Sequence, residues 1–214
     1  MNNKVFLRAQ GLVKAKDVDT GEMLIDTCND IHLENFSEAV ALALGGHTNG
    51  FIEEMHFGSG GSVVNSTGEI SYNGNNANPQ NGTASRDADL YGATSAYPTY
   101  FKVVNDRSSR FNLINYNPDP DRTNIKISHV VGTTYTDVIV TCTLDYGEPN
   151  NQSAFDDSTT VKAKYIFDEI GLKTYDPNTG TKRLLTHVIF NPVQKAANRA
   201  IEIVYTIRIT MSHA

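Results

Sequence analysis

The sequence predicts an all-β fold, an antiparallel and jelly-roll-like β-sandwich with one short helix and long polar loops. Three C-terminal segments, residues 161–172, 183–190 and 201–210, alternate apolar and polar side chains with a period of two. This period is typical of strands with one buried and one solvated face. Asn, Thr, Ser and Gly are abundant and Trp is absent, which favours strands and turns over long helices.

The N-terminal part predicts a β-hairpin. Residues 4–16 and 22–27 have strand-like patterns, and the turn between them, at residues 18–21, ends in Gly21. Glycine adopts the positive φ that such a turn needs. We therefore expect these two strands to pair with each other.

A short helix is predicted from Phe36 to Leu44, where alanines and leucines favour helical backbone. Asn35 or Ser37 is the expected N-cap, because a short polar side chain can accept from the first free N–H groups. Two consecutive glycines at residues 45–46 end the helix.

A strand is predicted at residues 51–57, and the amino-acid composition changes after it. Between residues 58 and 98 it is rich in Gly, Ser and Asn and has little to bury. A segment of this kind cannot offset its ordering entropy by its own packing, and long excursions inside a domain often serve binding or assembly. We interpret it as an extended loop or arm of one β-sandwich domain that spans residues 1–214.

Further strands complete the predicted sandwich of about nine or ten strands, for which a closed barrel is the alternative. They are expected at residues 100–104, 110–115, 123–131 and 134–144, the last two as a hairpin around Gly132. Two polar connections are predicted, a proline-stiffened loop at residues 117–121 and a longer loop at residues 145–160.

Composition argues against several classes of partner. The net charge is −6, and no run of Lys or Arg provides the electrostatic footprint of nucleic-acid binding.

Cys28 and Cys142 are far apart, so we expect two free thiols and folding in a reducing compartment. The N-terminus lacks the apolar core of a signal peptide, and no window approaches the roughly 18 apolar residues of a membrane span. We therefore expect a protein that is soluble when made.

Three patterns resemble binding or catalytic sites, and each has a simpler explanation. Residues 17–22, Asp-Val-Asp-Thr-Gly-Glu, have the look of a cation loop but lack its third acidic position and its distant Glu, so a tight turn is favoured. Residues 58–62, Gly-Ser-Gly-Gly-Ser, lack the Lys-Ser/Thr pair of a phosphate loop. The histidines have no metal-ligand spacing, and His187, inside a strand, is expected to be packed or at an edge. We predict no catalytic residue, metal or cofactor.

Carboxylates and tyrosines in the loops are the remaining candidates. The carboxylates of Asp145, Glu148, Asp156 and Asp157 fit a solvated acidic loop better than a glycosidase pair, because no spacing fixes their separation. Tyrosines near the arm can stack on sugars or on a neighbouring subunit, or can anchor loops to the core. These are Tyr72, Tyr91, Tyr97 and Tyr100.

Two phrases of the sequence resemble structural proteins of tailed-bacteriophage virions. One is the glycine-rich phrase at residues 57–61, Phe-Gly-Ser-Gly-Gly, after an N-terminal strand. The other is the C-terminal series Asp168-Glu-Ile-Gly-Leu172, Arg183-Leu-Leu185 through Phe190, Lys195 and the strand at residues 201–209. The resemblance implies a non-enzymatic β-fold packed in rings or arrays at the neck, tail or capsid surface.

Together these observations predict a structural subunit of a tailed-phage virion at the head–tail neck, collar or tail, or as capsid decoration. Its expected partners are portal, adaptor, tail or capsid subunits and further copies in a homo-oligomeric ring or array, without membrane or sequence-specific nucleic acid. The alternative is a carbohydrate-binding or adhesion module that uses loop tyrosines, and a hydrolase is a third hypothesis. We expect the protein in the virion, after synthesis in the host bacterial cytoplasm. The predicted interaction residues are Tyr72, Asn76, Pro79, Tyr91, Tyr97, Asp156 and Asp157.

Overall fold

A computed structural model of the protein describes residues 5–73, 89–91, 99–105, 124–149 and 164–213. The strand expected at residues 110–115 and the stiff loop at residues 117–121 lie outside the described residues. So do residues 74–88 and 92–98 of the predicted arm and most of the loop at residues 145–160.

Eleven strands and one α-helix follow one another in the described part of the chain. In order they are β1 (Val5–Asp17), β2 (Met23–Ile31), α1 (Leu33–Leu44), a 3-10 turn (Thr48–Gly50), β3 (Ile52–Gly58), β4 (Ser62–Val64), β5 (Ile70–Tyr72), β6 (Tyr100–Val103), β7 (Ile125–His129), β8 (Tyr135–Leu144), β9 (Lys164–Tyr175), β10 (Lys182–Ala196) and β11 (Ile201–His213).

Nine of these strands form one antiparallel ladder in the order β6-β3-β9-β10-β2-β1-β11-β8-β7. The ladder folds over at β2, which pairs with β1 as far as Asn29 and then pairs with β10 through its last two residues. The first sheet therefore contains β7, β8, β11, β1 and β2, and the second contains β2, β10, β9, β3 and β6. The two sheets pack against each other, which confirms the predicted antiparallel β-sandwich.

The core between the sheets is mainly aliphatic, and the second sheet adds a cluster of aromatic rings to it. Along β11 the inward row, ending at Tyr205 and Ile207, is buried, while the residues between are partly exposed, as the alternation predicted. In the second sheet Phe167 packs edge-on against Phe57 at 5.6 Å and against Phe190 at 5.7 Å. Such aromatic pairs add about 1 kcal/mol each to the effect of burial alone.

The prediction of one solvated face is wrong for β9. Every residue from Phe167 to Thr174 is buried, including the polar Asp168, Glu169 and Lys173. The reason is a third layer, because chain segments around Gly61 and Leu90 lie against the face that points away from the core. Periodicity in one strand cannot show that a distant segment covers its polar face.

Helix α1 begins three residues earlier than predicted. Its N-cap is His32, whose Nδ1 accepts the N–H of Asn35 at 3.2 Å. Asn35, one of the two expected caps, lies instead in the first turn, where its side-chain amide donates to the carbonyl of Leu184 at 2.9 Å. The end is as predicted, because Gly45 is the C-cap and Gly46 has a φ of 77°.

The first part of the predicted arm is ordered as a small sheet of its own. β4 and β5 pair as an antiparallel hairpin, with Ser62 opposite Tyr72. The neighbouring Gly61 is held to Asn73, whose N–H donates to the Gly61 carbonyl at 2.9 Å. Residues 62–72 thus differ from the irregular loop that their composition suggested.

The two cysteines do not form a disulfide with each other, as their separation in the sequence led us to expect. Cys28 is exposed and Cys142 is buried, and both are free; burial raises the pKa of Cys142 to about 12. No helix in the described ranges combines the length and apolarity required to cross a membrane.

Phe167→Ala should lower the free energy of unfolding by about 3–5 kcal/mol, because it removes a ring that packs against two others in the core. Denaturant unfolding measures this effect. The matched control is Phe6→Ala, since Phe6 is 53 % exposed and should cost less than about 1 kcal/mol. Equal losses in the two variants would contradict the assignment of the core.

Candidate functional site

Four ionisable side chains share the face of the second sheet that points away from the core. His56 on β3 and His187 on β10 both stand opposite Gly171 of β9, on its two sides. Because side chains two residues apart share a strand face, Glu54 and Glu169 lie on this face too. All four are at most 3 % exposed. We call these four residues the polar layer.

The first half of the polar layer is a chain of hydrogen bonds along β3. The Nε2 of His56 lies 2.7 Å from Oε2 of Glu54, and its Nδ1 lies 2.7 Å from Oγ1 of Thr99. A carboxylate only accepts, so Nε2 carries the proton and Nδ1 accepts from the hydroxyl. Lys182 contacts the same carboxylate oxygen at 2.8 Å and supplies the compensating charge.

Burial and neighbouring charges determine the protonation states of His56 and Glu54. The pKa of His56 falls from 6.5 to about 4, mainly because burial disfavours the imidazolium and also because Lys173 repels it. Burial by itself raises the pKa of Glu54, but its contacts with His56 and Lys182 outweigh that effect and lower it to about 2. At neutral pH the pair is therefore a neutral imidazole beside an ionised carboxylate.

The second half of the polar layer ties the sheet to the chain segments that cover it. Oε2 of Glu169 lies 2.8 Å from Nε2 of His187 and accepts the N–H of Tyr91 at 2.9 Å, while Oε1 accepts the N–H of Gly60 at 3.0 Å. The Tyr91 ring lies beside the His187 ring, with centroids 5.8 Å apart. One carboxylate thus joins four separate parts of the chain.

The neighbouring Asp168 holds the glycine-rich phrase in the same way. Its Oδ1 accepts the N–H of Gly61 at 2.9 Å, and its Oδ2 accepts the N–H of Ser62 at 2.8 Å and the Ser62 hydroxyl at 2.5 Å. Burial raises the pKa of Asp168, and the hydrogen bonds from Ser62 and Gly61 partly offset that rise.

Glycines allow the covering segment to come this close. A Cβ on Gly58 would lie 2.2 Å from Oε1 of Glu169, and one on Gly61 would lie 2.9 Å from the carbonyl oxygen of Asp168. On β9 itself, a Cβ on Gly171 would meet Leu184 at 2.8 Å. The phrases at residues 57–61 and 168–172, which are distant in the sequence, therefore fit together as one contact.

The described ends of the predicted arm are all bonded at this place. Before residues 74–88, the side-chain amide of Asn73 donates to the Gly60 carbonyl at 2.8 Å. After them, Asp89 forms an ion pair with Lys173, and Tyr91 donates to Glu169. Beyond residues 92–98, Thr99 bonds to His56. The described residues that flank both gaps therefore lie at one place on the outer face of the second sheet, which we call the root.

The polar layer has one arrangement that resembles catalytic chemistry. Thr99, His56 and Glu54 stand in the order of a hydroxyl–imidazole–carboxylate triad. Catalysis requires a substrate atom within about 3 Å of the hydroxyl. Thr99 is only 6 % exposed, and Phe101 stacks on the imidazole at 5.2 Å. This packing opposes the approach of a substrate and favours a structural role for the three residues.

The sequence did not single out Glu54, His56 or Glu169. A signal was present, since Glu54-x-His56 and Glu169-x-Gly171-x-Lys173 place ionisable groups on one face of otherwise apolar strands. Taken alone, each pattern is equally typical of a solvated strand face. His187, expected to be packed or at an edge, is packed.

The predicted interaction residues are only partly described. Tyr72 is half-exposed on β5, and its hydroxyl bonds to Asn191, while Tyr91 faces His187. Tyr100 begins β6, close to the predicted strand at residues 100–104, and is fully buried in the core, which fits the alternative in which a tyrosine anchors a loop to the core. Asn76, Pro79, Tyr97, Asp156 and Asp157 lie outside the described residues.

The turn at residues 17–22 is built from the carboxylate of Asp17. Its Oδ1 accepts the N–H groups of Asp19 at 3.0 Å and Thr20 at 2.9 Å, and its Oδ2 contacts Arg199 at 2.5 Å. These bonds, that from Thr20 first, lower the pKa of Asp17 to about 2. The turn interpretation accounts for the motif, and within the described ranges no three His, Cys, Asp or Glu side chains are grouped to hold a metal.

Glu148 differs from the solvated carboxylate that the sequence suggested. Its two oxygens lie 2.9 and 2.8 Å from Nζ of Lys102, a buried lysine on β6 that also donates to the Thr143 carbonyl at 2.7 Å. This ion pair closes one end of the sandwich between β6 and β8. The prediction missed it because Lys102 is far away in the sequence.

Comparison of the chain with protein-family models, with curated proteins and with solved structures finds no match.

Acid should weaken the fold through His56. Between pH 6.5 and about 4 the unfolded chain binds a proton here that the folded protein excludes, so stability falls as the pH falls through this window. The shift corresponds to about 3 kcal/mol. His56→Gln should therefore flatten the pH dependence of the free energy of unfolding, measured by urea titration at several pH values. His129→Gln, at an exposed histidine, is the control, and an unchanged slope in His56→Gln would refute the assignment.

Gly58→Ala should destabilise the fold by about 1–3 kcal/mol, because the three nearest atoms that a new Cβ would meet belong to Glu169. The same substitution in a Glu169→Ala background should cost clearly less, since those atoms are gone. A double-mutant cycle on unfolding free energies measures the coupling. If the effects of Gly58→Ala and Glu169→Ala on the free energy of unfolding were additive, the contact with Glu169 would not be the reason that residue 58 is a glycine.

Proposed function

We propose that the protein is a non-enzymatic structural subunit of a tailed-phage virion, which assembles by protein–protein contacts at the head–tail neck, collar or tail. The observation that carries this proposal is the root described above. Asn73, Asp89, Tyr91 and Thr99 are all bonded at one place on the outer face of the second sheet. Such an anchor suits a segment that reaches from a stable scaffold to neighbouring subunits.

The spatial contact between the two virion-like phrases also supports the proposal. Residues 57–61 and 168–172 are two of the parts of the chain that resemble virion proteins, and they meet through Asp168, Glu169 and the glycines around them. A shared resemblance in two distant phrases is easier to explain when they form one structural unit. The unit is the junction between sandwich and arm.

The expected partners follow from the same architecture. Other virion proteins, such as portal, adaptor, tail or capsid subunits, and further copies in a ring or array are the partners that an arm on a sandwich can contact. The segment contributes contact energy when it is ordered against a neighbour. The carbohydrate-binding alternative gains no support from Tyr72 or Tyr91, because the Tyr72 hydroxyl bonds to Asn191 and the Tyr91 ring lies beside His187.

Deletion of residues 74–83 tests this function. The deletion should leave the free energy of unfolding within about 1 kcal/mol of the wild-type value, because Asn73 and Asp89 keep their bonds to the root. Incorporation into particles should fall severely, measured as copies per particle by quantitative mass spectrometry. A Gly-Ser segment of equal length is the control that separates reach from sequence. If particles contained as many copies of the deletion variant as of the wild type, the proposal would be contradicted.

A further inference from the structure

A pocket of about 490 Å³ lies between α1 and the inner face of the first sheet, and its lining shares no described residue with the polar layer. Ligand pockets in proteins commonly have volumes of about 300–1,000 Å³. Protein interiors otherwise contain few voids larger than a water molecule. The pocket therefore has the size of a binding site and is too large for a packing defect.

Two apolar surfaces face each other across the pocket. On α1, Val40 and Leu44 are four residues apart, which places them on one side of the helix. On the first sheet, Ile127 of β7 lies opposite Val138 of β8. Val138 in turn lies opposite Ile207 of β11, so one row of three strands forms the second wall.

Contacts on the other sides of α1 hold it at its distance from the first sheet. The side-chain amide of Asn35 donates to the Leu184 carbonyl at 2.9 Å and ties the helix to β10. The 3-10 turn packs so closely that a Cβ on Gly50 would lie 2.6 Å from the Ala39 carbonyl oxygen. Because the helix is fixed in this way, the pocket is formed before any ligand enters it.

The chemistry of the lining selects an uncharged ligand group. No Asp, Glu, Lys or Arg is among the described residues that line the pocket, and Asn105 carries the only polar side chain among them. A charged group inside would lose its hydration without an opposite charge to replace the water. The enclosed part of a ligand is therefore a hydrocarbon.

The pocket has a buried inner end and an open mouth. Ile207 and Leu185 at the inner end are each 1 % exposed. Leu44 at the end of α1 and Ile127 on β7 also line the pocket, yet they are 85 % and 62 % exposed. A polar group at this mouth stays in contact with water while a hydrocarbon chain attached to it lies inside.

The volume limits the ligand to one chain. An apolar cavity of about 150 Å³ holds one benzene molecule with its six carbon atoms. A pocket of about 490 Å³ therefore holds roughly 18 carbon atoms on the same scale. This is the size of one long acyl chain, and a lipid with two such chains exceeds it.

We infer that this pocket binds a free single-chain amphiphile, such as a fatty acid, with its hydrocarbon chain inside and its polar group at the mouth. Each buried CH₂ group adds to the affinity, whereas the polar group adds little because it stays hydrated. The inference goes beyond the proposed assembly function and does not depend on it.

Equilibrium dialysis of the full chain against hexanoate, decanoate or decanol tests the class of ligand. The affinity should rise at least about tenfold from hexanoate to decanoate, because four more CH₂ groups are buried. Decanol should bind within about tenfold of decanoate, since the chain and not the charge is enclosed. No uptake of decanoate, equal affinities for the two acids, or no uptake of decanol overturns the inference.

Ala43→Phe tests where the chain binds. Ala43 lines the pocket, so a phenyl ring there occupies part of its volume, and the affinity for decanoate should fall at least about tenfold. Ala43 is itself exposed, so the fold accommodates the ring. Ala41→Phe is the matched control, because Ala41 is exposed on the same helix outside the lining and should leave the affinity unchanged. Equal affinities of the two variants overturn the inference.

Sedimentation with phosphatidylcholine vesicles separates a free ligand from a membrane lipid. Two acyl chains exceed the volume of the pocket, so the protein should stay in the supernatant. Sedimentation together with the vesicles would show that the apolar residues at the mouth insert into a bilayer, and it would overturn the inference.

Discussion

The structure depends most on the carboxylate of Glu169. It accepts hydrogen bonds from the backbone of Gly60 and Tyr91 and contacts His187, and it is fully buried while doing so. A buried carboxylate is tolerated only when such donors replace water. Because these donors come from three distant parts of the chain, the covering layer, the glycine-rich phrase and the root of the predicted arm share one physical cause.

The polar layer defines position more than it adds stability. The desolvation of Glu54 and Glu169 offsets much of what their hydrogen bonds contribute, so an apolar layer of equal volume could be as stable. Apolar side chains, however, impose few directional constraints. Carboxylates that must meet specific N–H groups allow one arrangement of the covering segment.

The sequence predicted a strand well where one of its faces packs on the core and the other contacts solvent. β11 alternates because one side packs on the core and the other contacts solvent. For β9 the same pattern misled, since Asp168, Glu169 and Lys173 are polar and yet buried. The start of α1 was missed for a related reason, because His32 is an unusual cap and Asn35 is taken by the carbonyl of Leu184. The burial of β9 and the role of Asn35 both come from contacts with residues far away in the chain.

The sequence by itself determined the β-sandwich, the hairpins, the end of the helix and the free thiols, because periodicity, glycine and spacing act over a few neighbouring residues. Only the tertiary structure decided that Glu54, His56, Glu169 and His187 form a buried layer and that Lys102 pairs with Glu148. It also left Leu7 and Met211, which face each other on β1 and β11, about half exposed. These features depend on how the strands are ordered across the folded ladder, and local patterns do not contain that order.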